Sequence, residues 1–331
     1  MKQVVFERTG PPQEVLRLQD DVPLPPLQRG EVLIRMLAAP INPSDLMYIS
    51  GRYSVQPTLP AVPGFEGVGI VESHGGGLLA RLRLGRRVAI LGPRLGTWAE
   101  YTIASARQVL PVPPHWSDEQ AATFFVNPAT ALAMVRYVLQ VPAGEWLVQT
   151  AAASEVGKMI IRLGRHFGFR TLNIIRRPEQ RDELLRLGAH AVLVISEGPL
   201  AEQMARVVPH GIRYALDPVG GQLGSDLLTT LAPGARCLIY GSLADAPLQI
   251  APRLLISTGL RLEGFWLARW LRQQPLLRLL RFFRSVRRLV DQGILQSTIA
   301  AVYPLEEVHA AVEHAQQPAK GGKILLRIAN P

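Results

Sequence analysis

Two neighbouring arginines, Arg176 and Arg177, close the strand-like run Thr171-Leu-Asn-Ile-Ile175. Paired guanidinium groups at that place could grip a phosphate dianion. Upstream, Trp146 to Thr150 reads as a buried strand, Ala151-Ala-Ala-Ser-Glu-Val-Gly157 as a tight turn of small residues, and the run to Phe167 as an apolar helix opening at Ser154 or Glu155. The backbone N–H groups of Ser154, Glu155, Val156 and Gly157, together with the positive end of the helix dipole, suit a pyrophosphate. An acid about 20 residues beyond the turn would accept from a ribose 2′-OH, the NAD arrangement. Two arginines would instead pair with a 2′-phosphate, which makes NADPH the expected cofactor; a solvated pair opening the helix at Pro178 is the plain alternative. The glycine pattern itself is thin, because Ala152, Ser154 and Gly157 stand where three glycines are expected. Its weight comes from context: a strand before, a helix after, and further strand–helix alternations downstream.

Two more residues could act on a substrate. Tyr53, in Gly51-Arg-Tyr-Ser54, carries a phenol whose ordinary pKa near ~10 keeps it a proton donor at neutral pH. It could equally be loop packing. Asn127 ends the apolar run Ala121 to Val126, where a buried amide needs partners. Followed by Pro128, it is also a good helix N-cap, and both roles can hold. The seven histidines show no ligand spacing, and the single cysteine, Cys237, sits in an apolar run and reads as core. An internal disulfide is excluded, a cysteine-based zinc site is not expected, and no metal is assigned.

The elements that must hold these residues fall into two kinds. To about residue 126 the chain is Pro- and Gly-rich, with strand candidates at Glu31–Leu37, Val68–Glu72, Arg86–Leu91 and Trp98–Ile103, a small barrel-like β domain. Ser117 to Val138 turns helical. From Glu145 the period becomes βαβ, with strands near 146–151, 170–175, 191–195, 212–216 and 236–240, and an edge strand over Arg261–Trp266. Tyr240-Gly-Ser-Leu243 follows one of these parallel strands, at the edge where ligands bind. Pro275–Gly293 is a basic amphipathic helix with Leu276, Leu279, Leu280, Phe283, Val286, Leu289 and Val290 as its apolar stripe. The assigned domains are 1–126 with 267–331, and 127–266.

At 331 residues, 48% hydrophobic and 19% charged, the chain fits two domains, with no apolar run near the ~18 residues of a membrane span. Met1–Phe6 enters a strand-like run without a signal pattern, so the cytoplasm is the expected compartment. The net charge of +10 is almost all arginine, since Lys2, Lys158, Lys320 and Lys323 are the lysines. Genome composition explains this blandly; a phosphate-bearing small molecule explains it pointedly. No nucleic-acid module and no membrane partner is expected.

This plan resembles the medium-chain dehydrogenase/reductase superfamily, on Pro40-Ile-Asn-Pro-Ser-Asp45, Gly51-Arg-Tyr53, Leu59-Pro-Ala-Val-Pro-Gly-Phe-Glu-Gly-Val-Gly69 and the Gly157 turn. The resemblance implies an α/β protein with a GroES-like β-barrel catalytic domain and a Rossmann dinucleotide-binding domain. Zinc-dependent members carry Cys where this chain has Asn42 and His where it has Phe65, so the zinc-free branch is implied. Leu95-Gly-Thr-Trp98, Phe125-Val-Asn-Pro-Ala-Thr-Ala131, Tyr240-Gly-Ser-Leu243 and Gly264-Phe-Trp-Leu-Ala-Arg-Trp270 look like the trans-2-enoyl-thioester reductases, whose substrates ride on CoA or acyl carrier protein. By that resemblance Tyr53 is the donor and Asn127 touches nicotinamide or substrate. Phe265 and Trp266 line the acyl pocket or cover the nicotinamide, Leu267 and Lys323 contact the cofactor, and two copies pair through edge strands near Arg261–Phe265. Glu155, an acid close to the expected pyrophosphate, departs from the pattern. A quinone or alkenal reductase on the same scaffold, and a non-catalytic NADPH-binding protein, are the competing readings; the arginine-rich helix could dock an acidic carrier protein.

Overall fold

Period-two alternation governs the first third of the chain, and short strands form there. The computed structural model describes residues 1–318 and 320–329. In chain order the strands are β1 (Gln3–Phe6), β2 (Leu16–Gln19), β3 (Glu31–Pro40), β4 (Glu66–His74), β5 (Arg87–Leu91), β6 (Tyr101–Ser105) and β7 (Val109–Pro111). There follow β8 (Trp146–Gln149), β9 (Arg170–Ile175), β10 (Ala191–Val194), β11 (Ile212–Asp217), β12 (Leu231–Ile239) and β13 (Arg261–Gly264). Last come β14 (Ile299–Pro304) and β15 (Lys323–Arg327). They belong to two units, Met1–Val126 with Gln296–Pro331, and Asn127–Leu295.

In the first unit β3 is the spine. It pairs antiparallel with β4, β6 and β15, in a seven-stranded sheet ordered β14-β15-β3-β4-β5-β7 with β6 on β3. Val32, Ile34 and Met36 alternate inward from β3 against Val71, Val88, Ile90 and Val109. The sheet packs tightly enough that a Cβ at Gly69 would lie 2.4 Å from the Arg35 carbonyl oxygen. Trp98 is fully buried in the second core cluster of this unit, with Phe6, Ile41, Ile49 and Leu326.

The second unit is a six-stranded parallel sheet, β10-β9-β8-β11-β12-β13. The strand order reverses between β8 and β11, the topological switch point at which doubly wound sheets bind ligands. Buried amides lace one half of it. Gln149 Nε2 donates to Asn173 Oδ1 (2.8 Å) and to the Gly157 carbonyl (3.0 Å), and Asn173 Nδ2 donates to the Ala191 carbonyl (3.0 Å). Such pairs fix register in an otherwise apolar sheet. Cys237 is core, its thiol pushed up to about 12 by burial and by the Asp217 charge.

Two sequence expectations are corrected here. The segment 267–295, assigned to the first domain, belongs to the second unit. The rings of Trp270 and Phe282 lie 5.7 and 5.2 Å from that of Tyr137, and Arg162 donates to the Gly293 carbonyl (3.3 Å). The Leu276–Asp291 helix also buries only part of its expected stripe, shifted toward Phe282. Phe282, Val286, Leu289 and Val290 are buried, whereas Leu276 and Leu280 are exposed. Seating Phe282 between Tyr137 and Trp270 rotates the buried stripe away from positions 276 and 280.

Candidate functional site

At the carboxyl end of β8 the turn is tighter than the sequence suggests. Ala151 adopts φ +47°, the left-handed conformation that costs any residue with a Cβ. The strained position therefore falls one residue before the first of the three small positions expected from the fingerprint. Ser154 caps the Glu155–Phe167 helix, its hydroxyl accepting from Gly157 N at 3.1 Å. Position 157 has no room for a side chain, since a Cβ would sit 2.4 Å from the Ala152 carbonyl oxygen. Glu155, the departure noted in the sequence, does not stand as an isolated negative charge. It pairs with Lys158 at 3.7 Å and feels the Arg162 cation, and Lys158 is held in turn by Glu183. Gly157 N and Ser154 N are already given to the Ser154 hydroxyl and the Ala151 carbonyl (2.9 Å), so what attracts an anion here is the positive end of the helix dipole over its first turn.

Around this turn the parallel strands deliver other predicted residues. Arg176 is exposed and Arg177 half-buried at the end of β9, and neither has an ion-pair partner among the described residues. Past β12, Tyr240 N donates to the Asp217 carbonyl (3.0 Å) and Leu243 N to that of Pro218 (3.0 Å), strapping Tyr240–Leu243 along the neighbouring loop. Gly241 is required there, since a Cβ would lie 2.7 Å from the Pro218 carbonyl oxygen. Burial and the Asp217 charge push the Tyr240 phenol well above its usual range, and the Ser154 hydroxyl draws it partly back. Ser242 and Leu243 are exposed. Phe265 is buried and tied to β12 through the Ile239 carbonyl (2.8 Å). Trp266 lies under the Arg272 guanidinium (5.3 Å), and Leu267 is buried where the Leu267–Arg272 helix opens.

Asn127 is the second residue of the Val126–Leu132 helix, so it is not the N-cap that the following proline suggested. Its half-buried amide has no hydrogen bond among the described residues and is available to a ligand. The helix runs straight into a π-helical turn over Ala133–Val138, a distortion common beside functional sites. Asp217 was missed from sequence. Its buried carboxylate accepts from the Thr150 hydroxyl, Val219 N (2.9 Å) and Gly220 N (3.1 Å), joining the ends of β8 and β11. The signal was there, an acid at a strand end before Pro218-Val-Gly-Gly221. Together these groups fit a dinucleotide whose ribose carries an extra phosphate.

The first unit holds a separate polar cluster. Asn42 Nδ2 donates to Glu66 Oε1 (2.8 Å), and Val126 N donates to Glu66 Oε2 (2.8 Å). Lys323, buried, donates to Asn42 Oδ1 and stands 3.9 Å from Glu66. Asp45 accepts from Asn42 N (2.8 Å) and Phe65 N (3.1 Å). Burial pushes the Glu66 carboxyl up, with Lys323 pulling it back, and raises Asp45 to about 7 against two backbone donors. Tyr53 sits beside this cluster through Phe65, its ring 5.3 Å from that of Phe65 at 35°, and Tyr48 meets Phe65 edge-on at 5.2 Å.

Known proteins match both units. Residues 28–114 match the alcohol dehydrogenase GroES-like domain and residues 156–283 the zinc-binding dehydrogenase family. Mitochondrial enoyl-[acyl-carrier-protein] reductases are similar along the whole chain: the mouse protein is 34% identical over 98% of this chain and 88% of its own length, the human one 33% over the same shares. A solved Bacillus thuringiensis structure, assigned as an NADPH:quinone reductase, is 33% identical, with a TM-score of 0.93 over 99% of each chain. The chain belongs to the medium-chain dehydrogenase/reductase superfamily. Its two units are the GroES-like and Rossmann domains of that superfamily.

Zinc-dependent members of the superfamily set a test that this chain's residues do not meet. At the two positions noted above stand an amide and a phenyl ring, and the amide is committed to Glu66 and to a lysine ammonium. Amide, ammonium and phenyl do not make a zinc donor set.

The raised Asp45 acid sets a pH dependence. Because its folded pKa of about 7 lies above the ordinary 3.8, the folded state keeps the proton longer. Its contribution is complete below the ordinary value, is lost as pH rises to about 7, and is constant above. Asp45→Asn should flatten that part of the stability profile, worth as much as ~4 kcal/mol. Urea midpoints taken from acid to neutral pH would show it, and parallel profiles for the two proteins would refute it.

Proposed function

We propose that the chain is an NADPH-dependent, zinc-independent reductase of the C=C bond of a trans-2-enoyl thioester. The substrate class rests on one observation, the likeness to enoyl-[acyl-carrier-protein] reductases across both units rather than in one. NADPH, when bound, supplies a hydride to Cβ. The turn at residues 154–157, at the positive end of the helix dipole, holds its pyrophosphate, Arg176 and Arg177 its 2′-phosphate, and Tyr240, Gly241, Ser242, Leu243, Phe265, Trp266 and Leu267 border it. Lys323 keeps its candidate cofactor role, with its ammonium anchored by Asn42 and Glu66. As negative charge gathers on the thioester oxygen, the Tyr53 hydroxyl donates to it, Cα then takes a proton from that phenol or from solvent to complete the saturated thioester, and Asn127 offers its amide to nicotinamide or substrate. In this reading two copies pair through the free edge of β13 in the cytosol.

Quinone reduction on the same scaffold is the second reading, supported by the Bacillus thuringiensis structure. NADPH oxidation with crotonyl-CoA and with a benzoquinone separates the two, and equal or better quinone turnover would overturn the thioester assignment. Replacing both Arg176 and Arg177 by Ala should raise KM for NADPH about tenfold or more, the scale of lost charged hydrogen bonds, with KM for NADH unchanged. An equal change for both cofactors would remove the arginines from the site.

A further inference from the structure

The Leu276–Asp291 helix carries a surface that the reductase reading leaves unexplained. Leu276, Leu277 and Leu280 are 70%, 72% and 50% exposed in its first two turns, although the helix already buries a full apolar stripe around Phe282. Beyond them Arg281, Arg284, Arg287 and Arg288 are exposed and have no carboxylate partner among the described residues. Between residues 267 and 291 the chain has seven arginines and one acid. At 100° per residue, Leu277, Arg281, Arg284 and Arg288 share the outward face, so an apolar knob leads into a basic strip.

Resting on the reading above, we infer that this face docks a small acidic protein carrying the enoyl thioester. The arginine fork matches carboxylates in pairs, and the three leucines suit the apolar side of an acidic amphipathic helix. An interfacial membrane helix would need its apolar face outward. Here that face is spent against Tyr137 and Trp270, and arginines occupy the middle of the outer one. A second copy of the chain would bring the same unpaired cations together. The helix is also tied to the candidate site, since Trp270, on which Phe282 packs, lies one helical turn beyond Trp266.

The test compares crotonyl-acyl carrier protein with crotonyl-CoA in wild type and R281E/R284E, at low and high salt. The expected result is a rise in KM for the carrier-bound substrate of about tenfold or more, with crotonyl-CoA kinetics and melting temperature unchanged. Salt should weaken wild type toward the variant, and Leu277→Ser should raise the same KM more modestly. Equal rises for both substrates would mean that the arginines bind CoA phosphates, and no rise for either would leave the face without a role; each overturns the inference. Should wild type reduce neither thioester, the reductase reading fails and titration with the unacylated carrier protein still decides docking. Salt-sensitive binding lost in R281E/R284E supports it; absent binding overturns it, as does binding only to phosphatidylserine vesicles.

Discussion

If the proposed reductase reading holds, Tyr53→Phe should lower kcat for a trans-2-enoyl thioester by about a hundredfold or more, the cost of removing one donor aimed at a developing oxyanion, while Kd for NADPH holds. The substitution is conservative because the ring's place is set by stacking. A phenyl group at position 53 keeps the contact with Phe65 at 5.3 Å, and the loop is anchored through its backbone, Tyr53 N to the Met47 carbonyl (3.1 Å) and Gln56 to the Tyr53 carbonyl (2.9 Å). Only the hydroxyl is lost. On this reading the phenol acts in the chemical step, so the fall should appear in single-turnover reduction as well as in steady state. Wild-type turnover by Tyr53→Phe would move the chain toward the non-catalytic NADPH-binding reading.

The second unit was the more legible half, for a physical reason. A parallel sheet buried on both faces writes itself as separated apolar runs, and β8, β9, β10 and β11 lie within a residue or two of where those runs place them. The break at 267 was not legible, because what keeps the Leu276–Asp291 helix with the Rossmann sheet is contact between Tyr137, Trp270 and Phe282, residues far apart in sequence. For the same reason the helix's inward face was misjudged at Leu276 and Leu280. Local composition hid the strained turn too, since an alanine at positive φ looks like any other alanine. Short-range patterns and the resemblance singled out Tyr53, Asn127 and the two arginines as candidates, but the partners of Lys323 could not be read that way. Asn42 and Glu66 lie hundreds of positions upstream, and only the antiparallel pairing of β15 with β3 brings that end of the chain back.

That long-range closure carries the largest expected effect on stability. Lys323→Met should cost about 3–5 kcal/mol at neutral pH, the usual penalty for stranding one member of a buried ion pair. Methionine nearly matches the lysine stem in length, so little packing is lost. What disappears is the cation facing Glu66 and the donor to Asn42 Oδ1. Glu66 would keep Asn42 Nδ2 and the backbone donors Val126 N and Phe125 N, and its carboxyl, already raised by burial and drawn back by Lys323, would rise further. The deficit should accordingly shrink as pH falls, because a protonated Glu66 needs no counter-charge. Adding Glu66→Gln to Lys323→Met should recover part of the loss, the non-additivity expected of two groups in one network. Urea unfolding of wild type, both single variants and the double variant across pH measures this directly. A deficit that is independent of pH would mean that the ammonium is merely filling space, and wild-type stability would mean that the buried carboxylate is neutral without it.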